Sequence, residues 1–350
     1  MAEALPVHAL TPAALEPVLA ELGAPAYRAR QVLAWIYGRG VADPTEMSDL
    51  PRELRAALAE RLRGPAVETS HVARSCDGTA KLLLRLGDTE VVEGVLIPDD
   101  DRLTLCVSSQ VGCGMGCDFC ATARLGLRRN LEVEEIVGQI VRAREHLGRE
   151  KVGPGQLTNL VFMGMGEPLH NLDRLLPALD ILTSPWGLGI SPRRITVSTV
   201  GLLPQMRRLL DATKVHLAVS LSATTEEKRR ALMPVTKKYG LAELMETCRT
   251  LPLPRRKRIT FEYVMLQGEN DTDADARRLV GLLHGIRAKV NLILFNRFPG
   301  APFEPSPREQ VERFQSILLE HGVHATIRES RGPDIAAACG QLAAQHESRA

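Results

Sequence analysis

The sequence lacks the features that mark membrane, secreted and disordered proteins. No apolar stretch in its 350 residues is long enough to span a bilayer. The opening Met1-Ala2-Glu3-Ala4 has neither the basic nor the apolar region of a secretory signal. There are no repeats or low-complexity segments, and 44% of residues are apolar, which is enough to bury a full core. We therefore expect a folded cytoplasmic protein with no membrane association.

A strong net charge is also absent, since the formal value is only +2. Short basic clusters nevertheless occur at Arg124/Arg128/Arg129, Lys228/Arg229/Arg230, Lys237/Lys238 and Arg255/Arg256/Lys257/Arg258. Such clusters suit a phosphate-rich partner, but solvated surfaces carry them as well. Charge alone leaves nucleic-acid binding open.

The cysteines do not form the even set that a disulfide framework needs. There are seven, and three follow the spacing Cys113-x-x-x-Cys117-x-x-Cys120. Three thiolates can hold three corners of a [4Fe–4S] cluster and leave the fourth iron open to a substrate. This spacing is the signature of radical S-adenosylmethionine (SAM) enzymes. The alternative is a structural zinc site, which would need a fourth ligand from a distant histidine or cysteine.

The order of predicted elements indicates an α/β fold. Apolar periodicity from Leu10 to Leu62 predicts three short helices, the third starting at Pro51, and the runs Lys81–Leu86 and Val91–Ile97 predict a hairpin. Helical patterns at Val133–His146 and Arg308–Glu320 lie among predicted strands that suggest a partial (β/α)6 barrel. Those strands are Leu103–Ser108, Asn159–Met163, Arg194–Thr199, Val215–Leu221, Ile259–Met265, Val290–Phe295 and His324–Arg328.

These elements suggest four segments. We expect a helical accessory domain at 1–68, a hairpin linker at 69–101, the partial barrel at 102–329 and a C-terminal extension at 330–350.

Polar residues at the ends of the predicted strands suggest a SAM site. The run Gly164-Met165-Gly166-Glu167-Pro168 ends the second barrel strand, where glycines allow close approach and Glu167 can accept from an ammonium group. A tight turn is the simpler interpretation of this motif by itself. The full candidate set is Gly166, Glu167, Ser198, Ser220, Leu221, Ser222 and Asn296.

Longer runs resemble the RlmN/Cfr family of radical SAM RNA methyltransferases, and its RlmN branch most. They are Cys106–Cys113, Gly164–Pro168, Phe261–Leu266 and Ala337–Leu342, with N-terminal support from Tyr27–Gln31 and Glu46–Pro51. The resemblance implies a radical SAM barrel, a [4Fe–4S] cluster on Cys113, Cys117 and Cys120, and two SAM molecules per turnover. It further implies methylation at C2 of adenosine 2503 in 23S rRNA and of adenosine 37 in some tRNAs.

The resemblance also implies residue roles. Cys339 would carry the methyl group as S-methylcysteine, Cys106 would resolve the RNA adduct by forming a disulfide bond with Cys339, and Glu93 would accept a proton. A buried hydrophobe is the simpler interpretation of Cys106, and an exposed strand glutamate is that of Glu93. The enzyme would be a monomer that takes electrons from a donor such as a flavodoxin system.

Several points stay open at this stage. Cfr-like methylation at C8 is an alternative within the family, and a zinc-stabilised, non-catalytic RNA-binding protein is an alternative outside it. Arg28, Arg30 and Trp35 are candidate RNA contacts in the helical domain. Pro333 and Ser222 depart from the family's pattern, in which many members carry an acidic residue and a histidine at these places.

Overall fold

The computed structural model describes residues 4–150, 157–254 and 256–343. Residues 1–3, residues 151–156, Arg255 of the last basic cluster and the final seven residues of the C-terminal segment lie outside the described residues. No helix in the described part of the chain is long and apolar enough to cross a membrane.

The N-terminal part contains the three expected helices. They are α1 (Pro12–Glu21), α2 (Arg28–Leu33), which continues as a π-helical turn over Ala34–Gly38, and α3 (Arg52–Arg61). The short strands β1 (Leu5–Pro6) and β2 (Leu62–Arg63) pair in parallel and close this unit. Thr11 caps α1 by accepting the Ala14 N–H, and Pro51 precedes the first residue of α3. Buried leucines on all three helices form the local core.

An antiparallel region of the main sheet follows. It consists of β3 (Val67–Arg74), β4 (Ala80–Leu86), β5 (Val91–Asp99) and β6 (Arg102–Cys106), each paired with the next. The hairpin predicted at Lys81–Leu86 and Val91–Ile97 is therefore present as β4 and β5. The sequence analysis did not predict β3, whose side chains are mostly exposed or half-buried.

In the sequence, a separate two-stranded ribbon follows β6 and precedes the remaining strands of the barrel. Its strands are β7 (Gln110–Gly112) and β8 (Leu127–Asn130), with the short helix α4 (Ala121–Arg124) between them. The ribbon holds the base of the loop that carries Cys113, Cys117 and Cys120, so it positions the candidate cluster ligands.

The parallel part of the sheet starts at β6 and forms the barrel. Its remaining strands are β9 (Asn159–Phe162), β10 (Ile195–Thr199), β11 (His216–Ser220), β12 (Ile259–Met265), β13 (Ala288–Leu294) and β14 (Ala325–Arg328). The helices that connect them are α5 (Val133–Glu150), α6 (Leu172–Thr183), α7 (Leu203–Ala212), α8 (Glu226–Leu232), α9 (Leu241–Thr250), α10 (Asp273–Leu283) and α11 (Arg308–Glu320).

The strand order in the ten-stranded sheet is β14-β13-β12-β11-β10-β9-β6-β5-β4-β3. Every neighbouring pair from β6 to β14 is parallel. Six helical crossovers thus link seven parallel strands, which confirms the predicted α/β fold with a partial (β/α)6 barrel. The carboxyl ends of these strands meet at one edge, where chemistry collects in barrels of this kind.

Candidate active site

The loop that carries the three cysteines is closed by a contact that only glycine allows. Gly112 has φ +73°, and a Cβ placed there would lie 1.9 Å from the carbonyl oxygen of Gly126. The N–H of Cys113 donates to the same carbonyl at 2.8 Å. Both ends of the loop therefore meet at this one carbonyl group, immediately before the first candidate ligand.

The three thiols lie in a partly buried group. Cys113 and Cys117 are buried, Cys120 is half-buried, and the thiols of all three interact electrostatically. Burial raises the pKa of Cys113 to about 12 and that of Cys117 well above its usual range, although the Met115 N–H donates to the Cys113 sulfur. Ionising these thiols requires nearby positive charge, which iron bound to the thiolates supplies. The donor set therefore fits a [4Fe–4S] cluster.

A single metal ion has no comparable site. Among the described residues, no group of three or more histidine, cysteine or acidic side chains is close enough together to hold one ion. The same finding covers Cys113, Cys117 and Cys120, so it does not separate zinc from a cluster.

Glu167 is fixed at the end of the strand beside this loop. Its carboxylate accepts the N–H of Leu169 at 3.0 Å and that of Val200 at 2.9 Å, and its own N–H donates to Gln110. Burial raises the pKa of Glu167 to about 7 in spite of these hydrogen bonds. The predicted turn role is therefore present, and the oxygens keep further acceptor capacity for a ligand.

The glycines of this motif bring two backbone segments together. A Cβ on Gly164 would lie 2.8 Å from the Ser108 hydroxyl, and one on Gly166, which has φ +98°, would lie 2.5 Å from the Gln110 Cβ. The motif therefore packs directly on the segment that leads into the cysteine loop.

A pocket opens at the carboxyl ends of the parallel strands. Its lining includes six of the seven predicted SAM residues together with two cysteines, namely Gly166, Glu167, Ser198, Ser220, Ser222, Asn296, Cys120 and Cys339. Leu221 is the exception, because it is fully buried and does not line the pocket, while its N–H donates to the carbonyl of Glu262 at 2.9 Å. Ser222 has φ +48°, and its hydroxyl accepts the Val264 N–H.

Glu262 also lines this pocket and was not predicted as a site residue. It is buried on β12, where Asn291 donates to one carboxyl oxygen at 2.9 Å and the other oxygen has no partner. Burial raises the pKa of Glu262. An isolated acidic residue in the apolar run Phe261-Glu262-Tyr263-Val264 was the available sequence signal.

A second cavity brings three cysteines together. Cys106, Cys120 and Cys339 all line it, with Arg328 on the same wall. Burial, and then the nearby Cys339 thiol, raise the pKa of Cys106 to about 12. Burial also raises the pKa of Cys339, and the charge of Arg328 opposes this, although the residue keeps access to solvent. All seven cysteines are free thiols, so the predicted disulfide bond is not present in this structure.

The C-terminal segment that carries Cys339 lies across the barrel mouth. The Gly340 carbonyl accepts the Ala121 N–H at 2.7 Å, and the Leu342 carbonyl accepts the Thr122 hydroxyl at 2.5 Å. Asn296 donates to the Cys339 carbonyl at 3.3 Å. Beyond Pro333, which starts a short 3-10 turn, Asp334 accepts the Ser75 hydroxyl at 2.6 Å.

Glu93 is buried on β5, so its interpretation as an exposed strand glutamate is wrong. One carboxyl oxygen pairs with Lys81 at 3.0 Å, and the other accepts the Ala343 N–H at 3.0 Å. Glu93 also lines a cleft of about 540 Å³, on whose far side Arg124 stacks over Phe298 at 4.9 Å from the ring centroid. The carboxylate therefore lies between the C-terminal segment and an open cleft.

Two of the candidate RNA contacts of the helical domain, Arg28 and Trp35, hydrogen-bond to one acidic residue. Trp35 donates to the Asp49 carboxylate at 2.6 Å, and Arg28 donates to the Asp49 carbonyl at 3.2 Å. Tyr27, which was not predicted, is 58% exposed and lies beside the Arg28 guanidinium. Contacts of Arg28, Arg30 and Trp35 with RNA stay predictions.

Comparison with known proteins assigns the chain to a family. The model of the radical SAM superfamily matches residues 107–280, and that of the ribosomal RNA large subunit methyltransferase N-terminal domain matches residues 7–63. The dual-specificity RNA methyltransferase RlmN of Anaeromyxobacter dehalogenans is 53% identical over 95% of this chain and 90% of its own length. This chain belongs to the RlmN family. It is a SAM-dependent RNA methyltransferase with a [4Fe–4S] cluster and SAM as cofactors.

Other relatives agree with this assignment. The RlmN of Syntrophotalea carbinolica is 51% identical over 94% of this chain and 86% of its own length. The crystal structure of a radical SAM methyltransferase from Sphaerobacter thermophilus has a TM-score of 0.92 at 44% identity, covering 97% of this chain and all of that one. The likeness thus extends over the helical domain, the barrel and the C-terminal segment together.

Proposed function

We propose that this enzyme methylates C2 of adenosine 2503 in 23S rRNA and C2 of adenosine 37 in some tRNAs, through an S-methylcysteine at Cys339. The observation that carries the proposal is the cavity that Cys106, Cys120 and Cys339 line together, next to the pocket of the candidate SAM residues. The dual-specificity name of the curated relatives supports two classes of RNA substrate.

In this proposal Cys113, Cys117 and Cys120 hold the cluster, and Gly166, Glu167, Ser198, Ser220, Leu221, Ser222 and Asn296 hold SAM. When bound, the two cofactors supply reductive cleavage of a carbon–sulfur bond, which yields a 5′-deoxyadenosyl radical. Leu221 can contribute only through its backbone, because its side chain is fully buried away from the pocket.

Cys339 takes part in both halves of the reaction. Its thiolate first attacks the methyl group of one SAM and displaces S-adenosylhomocysteine, because adenine C2 has no lone pair with which to attack that methyl group directly. A hydrogen atom is then removed from the S-methyl group, and the resulting carbon radical forms a bond to C2. Solvent access to Cys339 supports this exchange of partners.

Release of the product needs two further residues. Glu93 accepts the proton that leaves C2 as the adduct radical loses one electron, which the oxidised cluster would take back; the place of Glu93 on the open cleft beside Ala343 supports this role. Cys106 then attacks the sulfur of Cys339, which breaks the carbon–sulfur bond to RNA and leaves a Cys106–Cys339 disulfide bond, while the released carbon takes a proton and becomes the methyl group. An external donor such as a flavodoxin system supplies the electron that first reduces the cluster and the two electrons that reduce the disulfide.

The remaining parts of the proposal concern organisation. We assign RNA binding to the helical domain at 1–68, which precedes a hairpin linker at 69–101, the barrel at 102–329 and the segment at 330–350. The enzyme would act as a cytoplasmic monomer. The match of residues 7–63 to an RNA methyltransferase N-terminal domain supports the limits given to the helical domain, 1–68.

The decisive test is the Cys106→Ala substitution. Methyl transfer to Cys339 and addition to C2 should still proceed, so protein should accumulate in a covalent complex with RNA. Cys248→Ala is a matched control, because Cys248 is also buried with a pKa raised to about 12 but lies on α9 and lines neither cavity. A nuclease-sensitive, slowly migrating band on a denaturing gel is expected for Cys106→Ala alone.

Two outcomes would contradict the proposal. If Cys106→Ala still methylates RNA and forms no covalent complex, then Cys106 only fills space in the strand and the cysteine relay is wrong. If mass mapping of the product adenosine places the methyl group on C8, the relay stands but the enzyme has Cfr-like specificity.

A further inference from the structure

Arg229 is a fully buried arginine within the basic run Lys228-Arg229-Arg230. It lies on α8 with 1% of its surface exposed. Its guanidinium donates to the Thr236 hydroxyl at 2.9 Å, to the Val200 carbonyl at 2.7 Å and to the Ser220 carbonyl at 3.3 Å. Arg229 therefore holds the ends of two adjacent barrel strands, both of which line the SAM pocket.

The charge of Arg229 has no close partner in the described part of the protein. Burial lowers its pKa to about 10, so it is still a cation at neutral pH. The ion pairs of the described residues do not include it, and its Nε is buried without a hydrogen-bond acceptor. A buried cation of this kind is costly unless a negative group offsets it.

The groups that face Arg229 point to the cysteine loop. The cysteine loop is tied to the same helix, since the N–H of Asp118, which follows Cys117, donates to the carbonyl of Leu232 at the end of α8 at 3.1 Å. The charges that act on Arg229 are those of Cys117 first, then Glu226 and Cys248. Glu167 lies one residue away, since its carboxylate accepts the Val200 N–H while Arg229 donates to the Val200 carbonyl. With a pKa of about 7, Glu167 is only partly ionised at neutral pH. Apart from Glu226, which also pairs with Arg230, the source of negative charge is the set of cysteine thiolates.

We propose that Arg229 is a positioning residue that presents a buried positive charge to the Cys117 side of the iron–sulfur cluster and raises its reduction potential. The inference rests on the proposed ligation by Cys113, Cys117 and Cys120. Arg229 contacts no substrate in it and acts through charge and through the two strand ends that it holds.

The direction of the effect follows from electrostatics. Each reduction adds one electron to a centre that already carries three thiolates, so a nearby cation stabilises the reduced form more than the oxidised form. Net charge and solvent exposure are among the main determinants of cluster potential. Removal of a buried unit charge should lower the ratio of reduced to oxidised cluster about tenfold at a fixed potential, which is 59 mV for one electron.

The test is a potentiometric titration of the reconstituted full-length enzyme under anaerobic conditions. Dithionite supplies the single electron, ferricyanide removes it, and the signal of the reduced cluster is followed by electron paramagnetic resonance. The cluster of Arg229→Gln should have a reduction potential about 59 mV below that of the wild type. The potential of Arg229→Lys, which keeps a charge, should stay closer to the wild-type value. Arg230→Gln is the matched control, because Arg230 is the exposed neighbour on the same helix. It should titrate like the wild type.

A second pair of variants covers the case in which Arg229→Gln fails to assemble a cluster. Glu226 lies within electrostatic range of Arg229, so Glu226→Gln should leave the cation less compensated and move the potential upward. Glu227→Gln, at the exposed neighbouring position, should not move it. No upward shift in Glu226→Gln would overturn the proposal when Arg229→Gln cannot be measured.

Iron and sulfide analysis separates this inference from the ligation on which it rests. If the wild type binds no cluster, while it is folded, the ligation is wrong and the role of Arg229 fails with it. If Arg229→Gln binds a full cluster whose potential equals that of the wild type, the ligation stands and the role of Arg229 alone is wrong.

Discussion

Replacement of Gly112 by alanine should destroy the candidate cluster site through a backbone contact. The added Cβ would lie 1.9 Å from the Gly126 carbonyl oxygen, so this carbonyl must move away. The Cys113 hydrogen bond to it, 2.8 Å long, would then break. A left-handed alanine costs about 1–2 kcal/mol, and an unsatisfied buried group about 1–3 kcal/mol more. We expect a total loss of about 2–5 kcal/mol in the free energy of unfolding.

Gly126→Ala is a matched control for this substitution. Gly126 also has a positive φ, +67°, but a Cβ there would meet nothing within 4 Å. It should therefore cost only the conformational term, about 1–2 kcal/mol. Urea denaturation of the metal-free proteins gives both free energies, and iron and sulfide analysis after reconstitution gives the cluster content. Equal losses in the two variants would refute the steric argument, as would a full cluster in Gly112→Ala.

Two further substitutions test buried charges. Lys81→Met leaves the Glu93 carboxylate buried without its cation and should cost about 3–5 kcal/mol in urea denaturation, and the double variant with Glu93→Gln should recover most of it. Glu167 has a folded pKa of about 7 against a usual 4.5, so its neutral form is favoured in the fold. Stability should therefore fall by about 3 kcal/mol as pH rises from about 4.5 to about 7, and Glu167→Gln should remove that dependence.

Most of the barrel strands could be predicted because their residues are buried or half-buried on both faces. Runs such as Ile259–Met265 and Asn159–Phe162 are mostly apolar or β-branched and are bounded by loops, which is the pattern of buried parallel strands. Every predicted barrel strand is present, with ends that differ by at most two residues. The differences fall at both the amino and the carboxyl ends of the strands, where hydrophobic pattern gives way to loop residues.

Two other elements could not be predicted from pattern alone. Strand β3 is an edge strand with polar side chains on both faces, so it carries little hydrophobic periodicity. The ribbon of β7 and β8 is held together by the close approach of Gly112 and Gly126, which are fourteen positions apart, rather than by a hydrophobic face. Contacts between distant positions leave no local signal in a sequence.

The site residues also differ in whether a local pattern in the sequence reveals them. The cysteine spacing and the strand-end residues are local patterns, and the structure brings them to one edge of the barrel. The role of Arg229 could not be predicted from its neighbours in the sequence, because the run Lys228-Arg229-Arg230 has the composition of a solvent-exposed basic cluster. On α8, however, Arg229 points inward while Arg230 is exposed. Only tertiary packing separates the two arginines.

The attachment of the C-terminal segment bears on the proposed mechanism, in which Cys339 would change partners without leaving the site. On one side the segment is tied to the turn between β3 and β4, where Asp77 accepts the Gly332 N–H at 2.9 Å. On the other side the Gly340 carbonyl is tied to Ala121 at 2.7 Å. Gly332, Ala336 and Gly340 all have positive φ, so backbone turns flank the stretch between these ties. The proposed chemistry requires Cys339 to meet SAM, the adenine and Cys106 in turn. Rotation of the short stretch between the two ties would allow these meetings while the ties themselves stay in place.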